Sequence, residues 1–237
     1  MLMELGKQCW HDRLMRSELF DTDHHERETT ERWIRQSKRM LRVSLGPDVL
    51  ASKGAMVAYQ GHINFHHESA GSLGRLVRKA LTSEDNPLMR VSGDGEVFFA
   101  QDASEVFLIR LEGDGISING RSLLAFDATL DHDIHRTKGA GMMTGGFFNT
   151  EVHGQGTVSL ACDGEPMLLD CSQQPTFVDP QAAVCWSSNL RPDVVSSMNM
   201  RSMLRGGSGG AFQYSYHGPG FVVVQPSEGP TVPPHTH

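Results

Sequence analysis

The sequence predicts an all-β fold of three pseudo-equivalent repeats, and three observations predict it. Short runs of β-branched and aromatic residues, "VFFA", "VSLA" and "FVVV", are bounded by Gly, Asp and Pro, as strands are. Turn chemistry punctuates the chain about every eight to twelve residues, the rhythm of a sandwich or barrel. The chain also resembles itself: "GDGEVFFAQ" (93–101), "GQGTVSLAC" (154–162) and "GPGFVVVQP" (218–226) start at Gly93, Gly154 and Gly218, spaced by 61 and 64 residues.

Taken in order, residues 1–30 read as a partly flexible N-terminal extension. The stretch "ETTERWIRQSKRMLRV" (28–43) fits either a helix or two strands flanking a turn at Gln36, Ser37 and Lys38. A three-repeat β domain then spans 31–228, with repeats at about 40–112, 113–172 and 173–228. Upstream of each Gly-X-Gly step lies an apolar strand, "GAMVAYQ" (54–60), "SLLAFDA" (122–128) and "AAVCWSS" (182–188), with Tyr59, Phe126 and Trp186 in matching places. Between strand and step lie connections: "AGSLGRLVRKAL" (70–81), "GAGMMTGGFF" (139–148) and "MRSMLRGGSGGAF" (200–212). The first contains the best helix candidate of the repeats, "GSLGRLVRKAL". "EVFLIRLE" (105–112) and "PMLLDC" (166–171) supply further strands, and "FVDPQAAVCW" (177–186) begins another. Residues 229–237, rich in Pro and His, are expected to be a disordered tail.

The Gly-X-Gly steps invite a phosphate-binding reading, which the context excludes. A dinucleotide or P-loop fingerprint follows a strand and opens a helix, whose N-terminus faces the phosphate. All three steps here lead into strands. Gly93, Gly95, Gly154, Gly156, Gly218 and Gly220 are therefore expected to be structural turns where the chain starts a strand.

Composition narrows the function. The net charge of −7 argues against a general nucleic-acid binder, which needs surplus Lys and Arg to displace counterions. Cys9, Cys162, Cys171 and Cys185 form no Cys-x-x-Cys pair and suggest reduced thiols. No apolar run reaches the roughly 20 residues that span a bilayer, and the N-terminal stretch carries charges throughout, unlike a signal peptide. A cytoplasmic protein is expected.

With "LGPDVLASKGAMVAYQGHINF", the three Gly-X-Gly steps and the closing "GPGFVVVQP" in view, the chain resembles the altered-inheritance-of-mitochondria protein 24 family over roughly residues 31–228. The resemblance implies three pseudo-equivalent units of the double-stranded β-helix type, similar to the tryptophan RNA-binding attenuation protein. That likeness concerns fold and transfers neither RNA nor tryptophan binding. It brings no catalytic residues and no cofactor. Members often open with a stretch like "MRSELF", which marks Met15 as an expected alternative start. They also often carry Gly-Glu ahead of the Gly-X-Gly strand. Ser83-Glu84 keeps the acid here, whereas Gly145-Gly146 and Gly209-Gly210 do not.

Candidate chemistry centres on histidine. In "GHINFHHE", His62 and His66 share a strand face and are the candidate metal ligands, beside His67 and Glu68. "DHDIHR" adds Asp131, His132, Asp133 and His135. The His-x-His pattern occurs as His235-Thr236-His237, in the tail. "GGSGG" (206–210) matches Gly-x-Ser-x-Gly only in letters and reads as a flexible turn, since its flanking glycines add freedom rather than orient a hydroxyl. Cys162 and Cys185 sit in apolar strands where thiols are inert packing. Arg75, Arg78 and Lys79 form a short amphipathic stretch that would allow peripheral membrane contact. Met142, Met143, Met198, Met200 and Met203 suit an adaptable apolar surface on the connections. The expected function is a non-enzymatic scaffold or assembly protein that forms homo-oligomers or binds a protein partner. The alternative is a small-ligand- or metal-binding β-barrel protein, with an enzyme among its forms.

Overall fold

The computed structural model describes residues 17–67, 88–136, 148–196 and 212–227. The chain divides into two compact units between Thr30 and Glu31. In the first, 3₁₀ turns form at Glu18–Phe20 and Thr22–His24, and the Ser17 hydroxyl accepts a hydrogen bond from the Leu19 N–H at 3.2 Å.

The second unit is all β. Its described strands are β1 (Trp33–Ser37), β2 (Met40–Ser44), β3 (Val49–Ser52), β4 (Met56–His67), β5 (Leu88–Phe99), β6 (Glu105–Asn119), β7 (Leu123–Asp127) and β8 (Asp131–Arg136). They continue with β9 (Phe148–Cys162), β10 (Met167–Asp170), β11 (Thr176–Val178), β12 (Ala183–Ser187), β13 (Asp193–Ser196), β14 (Phe212–Tyr216) and β15 (Phe221–Val224). Twelve strands form one sheet, and β11, β14 and β13 form another. The stretch at 28–43 is a hairpin, its turn at Lys38 and Arg39. Pairing Trp33 with Val43 and Arg35 with Leu41 buries Leu41 and Val43 completely in one core. "FVDPQAAVCW" is two strands, β11 and β12: Pro180 has no N–H to offer a ladder, and the chain turns there.

The longest strands change neighbours midway. On one side of β5, residues 88–91 pair with β3 and residues 96–99 with β2, while β4 runs along the other side. Strand β9 repeats the arrangement: residues 148–153 pair with β8 and residues 158–160 with β7, with β6 along the opposite edge. The third copy is interrupted. Strand β14 pairs with β11 and β13, and β15 pairs with β10 and β12. Each Gly-X-Gly step lies at this changeover. In the first two copies it therefore sits inside a strand rather than at its start: the β4–β5 ladder runs through the step unbroken, and the β6–β9 ladder passes it with a bulge at Gly113 and Asp114. Gly95 shows why glycine is required: its φ is +145°, and a Cβ there would collide with the Gln60 carbonyl oxygen. At Gly220, φ +153°, a Cβ would lie 2.8 Å from the Ser187 hydroxyl.

Other features recur with the bend. The register slips by one residue between Met56 and Ala58, Leu123 and Ala125, and Ala183 and Cys185, leaving Val57, Leu124 and Val184 as bulge residues. The Thr157 N–H donates to Asp127 Oδ2 at 2.8 Å, and the Phe221 N–H to Ser187 Oγ at 3.0 Å, each just past a Gly-X-Gly step. The sequence-based boundary at residues 112 and 113 falls inside β6. The first half of that strand pairs with β9, not β5, and so belongs to the second copy.

Among the described residues, three apolar cores succeed one another along the chain. The first gathers Leu41, Val43, Val49, Val91, Val97 and Phe99. The second gathers Ile116, Ile118, Phe126, Val152, Val158 and Leu160, and the third is built on Trp186, Tyr214, Tyr216 and Val222. Later strands complete the first two. Leu124 and Ala125 of β7 pack into the first core, and Val184 and Cys185 of β12 into the second.

This packing sets two stability outcomes. Gly95→Val should cost about 2 kcal/mol or more, from backbone strain and overlap with β4. Gly46→Ala, in open space with an ordinary backbone, should leave the thermal midpoint unchanged; equal midpoints for the two variants would contradict the bend. The Tyr216 hydroxyl is buried with no hydrogen-bond partner among the described residues. Tyr216→Phe should therefore match or exceed wild-type stability, by up to about 1 kcal/mol in chemical denaturation.

Candidate functional site

The histidines predicted on one strand face are on β4, as His62 and His66, both exposed. Four residues of extended chain separate their Cα atoms by about 13 Å, so imidazoles standing off the sheet do not meet at one ion. Their cross-strand neighbours are Asp94 and Arg90.

The second histidine stretch is drawn into a tighter group. On β8 and β9 the Glu151 carboxylate lies between two imidazoles, 3.3 Å from His135 Nε2 and 2.9 Å from His153 Nε2. Asp133 Oδ2 is 3.5 Å from the same His135 nitrogen. Asp133 and His135 are two residues apart on β8 and so share a face of the strand, which lets His135 reach both acids. His132 instead packs its ring edge against Phe126, centroids 5.4 Å apart. Asp131 pairs with His153 in the ladder. Among the described residues no three His, Cys, Asp or Glu side chains form a group able to hold a metal ion. His153 was missed by sequence reasoning although Glu151, two residues before it on β9, shares its strand face; what adds His135 is the β8–β9 register, which brings Glu151 within reach of both imidazoles.

The described cysteines, Cys162, Cys171 and Cys185, are free and buried. Burial, helped by the charges of Asp163 and Glu105, pushes the Cys162 thiol up to about 12. Burial, with Cys162 nearby, does the same to Cys185. Both side chains are packing atoms of the second core.

A polar hollow lies near the ends of β5, β6 and β9. The Ser104 hydroxyl donates to Asp163 Oδ1 at 2.7 Å, the Asp163 N–H donates to Gln225 Oε1 at 3.0 Å, and Gln101 Nε2 donates to the Arg121 carbonyl at 2.8 Å. These groups satisfy one another and tie successive turns together. Asp127 is a second junction. Its Oδ1 accepts from Arg32 and, at 3.2 Å, from Trp33 Nε1, while Oδ2 takes the Thr157 N–H. The start of the β domain is thereby fastened to the bend in β9.

The strongest surface feature is apolar. Val57 and Tyr59 on β4 are 52% and 50% exposed, and Phe177 on β11 is 55% exposed. Met167 and Leu168 on β10 are also exposed. The equivalents of Val57 in β7 and β12, Leu124 and Val184, are completely buried, as is Phe126 at the place of Tyr59. The hydrophobic pattern alone marks all these residues as core. What exposes Val57, Tyr59 and Phe177 is position at the first and last strand edges, which only topology reveals. The Met-bearing connections, the helix candidate at 71–81 with its basic residues, the Glu84 position, Cys9, Met15, His235 and His237 lie outside the described residues. Among the described residues no helix is long and apolar enough to cross a membrane.

Comparison with known proteins places this geometry. A family model described as Mitochondrial biogenesis AIM24 matches residues 32–227. The X-ray crystal structure of protein SPYM3_0169 from Streptococcus pyogenes superposes with a TM-score of 0.65 at 17% identity, covering 81% of this chain and 91% of that one. At that identity the likeness shows the fold. No curated protein matches the chain.

Two measurements check the site as described. Asp127→Ala should cost about 2 to 3 kcal/mol by stranding Arg32, the Trp33 indole N–H and the Thr157 amide, lowering the thermal midpoint by roughly 4 to 10 °C. A shift below about 1 °C would contradict the junction. For the thiols, the folded values of about 12 exceed the ordinary 9.0. Their contribution to stability is intact below pH 9 and is withdrawn as pH rises toward 12, where the unfolded chain alone gives up the protons. Cys162 and Cys185 should therefore resist a thiol reagent at about pH 8 until the protein is unfolded.

Proposed function

This chain belongs to the Mitochondrial biogenesis AIM24 family, and we propose that it acts as a non-enzymatic scaffold or assembly module of three equivalent units. The observation that supports this reading is the exposure of Val57, Tyr59 and Phe177 at strand edges, at positions whose counterparts are interior. Among the described residues β4 and β11 each pair on one side only, and an edge strand bearing apolar side chains is a template for another strand. The recurring bulges and bends support three units of the type found in the tryptophan RNA-binding attenuation protein. The buried, unpaired thiols fit a cytoplasmic setting, and the net charge of −7 favours protein partners over nucleic acid.

One second reading has an observation behind it. The second reading is a small-ligand- or metal-binding β-barrel protein, an enzyme being one form of it, and what supports it is the polar group of His135, Glu151 and His153, which suits a small polar ligand better than a metal ion. Native mass spectrometry of tag-free protein, with and without a chelator, separates the two. The assembly reading expects a mass equal to several bare chains, unchanged by chelation. A single-chain mass with a chelator-sensitive excess would reject it in favour of the second.

A further inference from the structure

We propose that copies of this chain associate head to tail, β11 of one copy adding antiparallel, in the next copy, to the side of β4 that no described strand pairs. The proposal rests on the assembly reading and names its partner, a second copy, and its interface.

The chain makes the same junction twice within itself. Strand β3 joins β7 through Val49 with Asp127, Leu50 with Phe126 and Ala51 with Ala125. Strand β6 joins β12 through Ile116 with Ser187, Ser117 with Trp186 and Ile118 with Cys185. Both junctions are antiparallel and three residue pairs long. β11 is the third member of the first series. Leu50, Ser117 and Phe177 lie opposite Arg90, Glu151 and Ser215, each three residues before a Gly-X-Gly step. The first half of β4 is the third member of the other series. Tyr59, Phe126 and Trp186 lie opposite Val97, Val158 and Val222, each two residues past the second glycine of a step. β11 pairs on one side with β14, and β4 on one side with β5; no pairing among the described residues joins β11 to β4. Carrying the register forward sets Phe177 opposite Tyr59, Val178 opposite Ala58 and Thr176 opposite Gln60.

Burial identifies the same two surfaces independently. At each internal junction the bulge residue of the later strand enters the core before it: Leu124 enters the first core and Val184 the second. The third core receives no such residue from the described strands, and Val57, the bulge residue of β4, has no core before it and stands exposed. One end of the domain lacks what the other end offers. The contact uses different surfaces on the two copies, so a discrete assembly requires the series to close into a ring.

The test uses full-length protein. Native mass and thermal midpoint are measured over a concentration series for wild type, Phe177→Asp and Met167→Asp, the last an exposed apolar position on β10 outside the junction. Tyr59→Cys and Phe177→Cys, each in a Cys9→Ser background, are then mixed under oxidising conditions. Facing residues of an antiparallel pair lie within disulfide reach. The expected result is a multi-chain wild type whose midpoint rises with concentration, a single-chain Phe177→Asp whose midpoint stays at that of dilute wild type, and a multi-chain Met167→Asp. The cysteine mixture should yield a disulfide-linked pair of chains that neither variant yields alone. A multi-chain Phe177→Asp, with Met167→Asp dissociated, would overturn this interface and leave the assembly reading standing. A single-chain wild type at every concentration would overturn both self-assembly and the interface. An intrachain disulfide in the Tyr59→Cys/Phe177→Cys double variant would then show β11 closing on its own β4.

Discussion

A strand inside a sheet must satisfy backbone N–H and C=O groups on both sides, and β5 and β9 do so with different neighbours at their two ends. That exchange needs a bend through which the ladder continues. Gly-X-Gly supplies it, since a side chain at Gly95 would drive into the backbone of β4 and one at Gly220 into Ser187. The first amide beyond the bend is then held by a side chain from the neighbouring strand, Asp127 for Thr157 and Ser187 for Phe221. The rest of the architecture is arranged around these corners.

One consequence is that consecutive stretches of chain share their sheets. Because β3 joins β7, and β6 joins β12, one strand face looks into the core before the junction and the other into the core after it. Leu50 belongs to the second core although Val49 and Ala51, on either side of it, belong to the first. Such strands are buried on both faces, which explains why β7 has a continuous apolar run instead of an alternating one. It also explains why the domain has two unlike ends. The logic of sharing runs out at β4 and at β11, and apolar side chains are left in the open there.

Much of this was legible in the sequence, for physical reasons that can be named. Short β-branched and aromatic runs and frequent turns gave the strands, and the spacing of Gly93, Gly154 and Gly218 marked the recurring corner. Because glycine is demanded by φ and by close backbone approach, its positions survive even where "VFFA", "VSLA" and "FVVV" differ. The place of the corner within a strand was not legible. A bend that keeps its ladder and a turn that opens one have the same local residues, and only the partners of β5 and β9 distinguish them. The hairpin at Trp33–Ser44 was undecided for a similar reason, since its charge spacing suits a helix and burial of Leu41 with Val43 settles it. The grouping of His135, Glu151 and His153 depends on cross-strand register, which no local pattern encodes. The exposed trio Val57, Tyr59 and Phe177 reads as core in sequence because its counterparts are core.

The central claim is that the edges of β4 and β11 that no described strand pairs complete one sheet between copies. Amide hydrogen exchange tests it directly, through the backbone of residues 57–60 and 176–178 measured over a range of protein concentrations. The account predicts that both segments gain protection together as concentration rises and lose it on dilution, while β5 and β9 stay protected throughout. Exchange at these two segments that is fast and independent of concentration would contradict it.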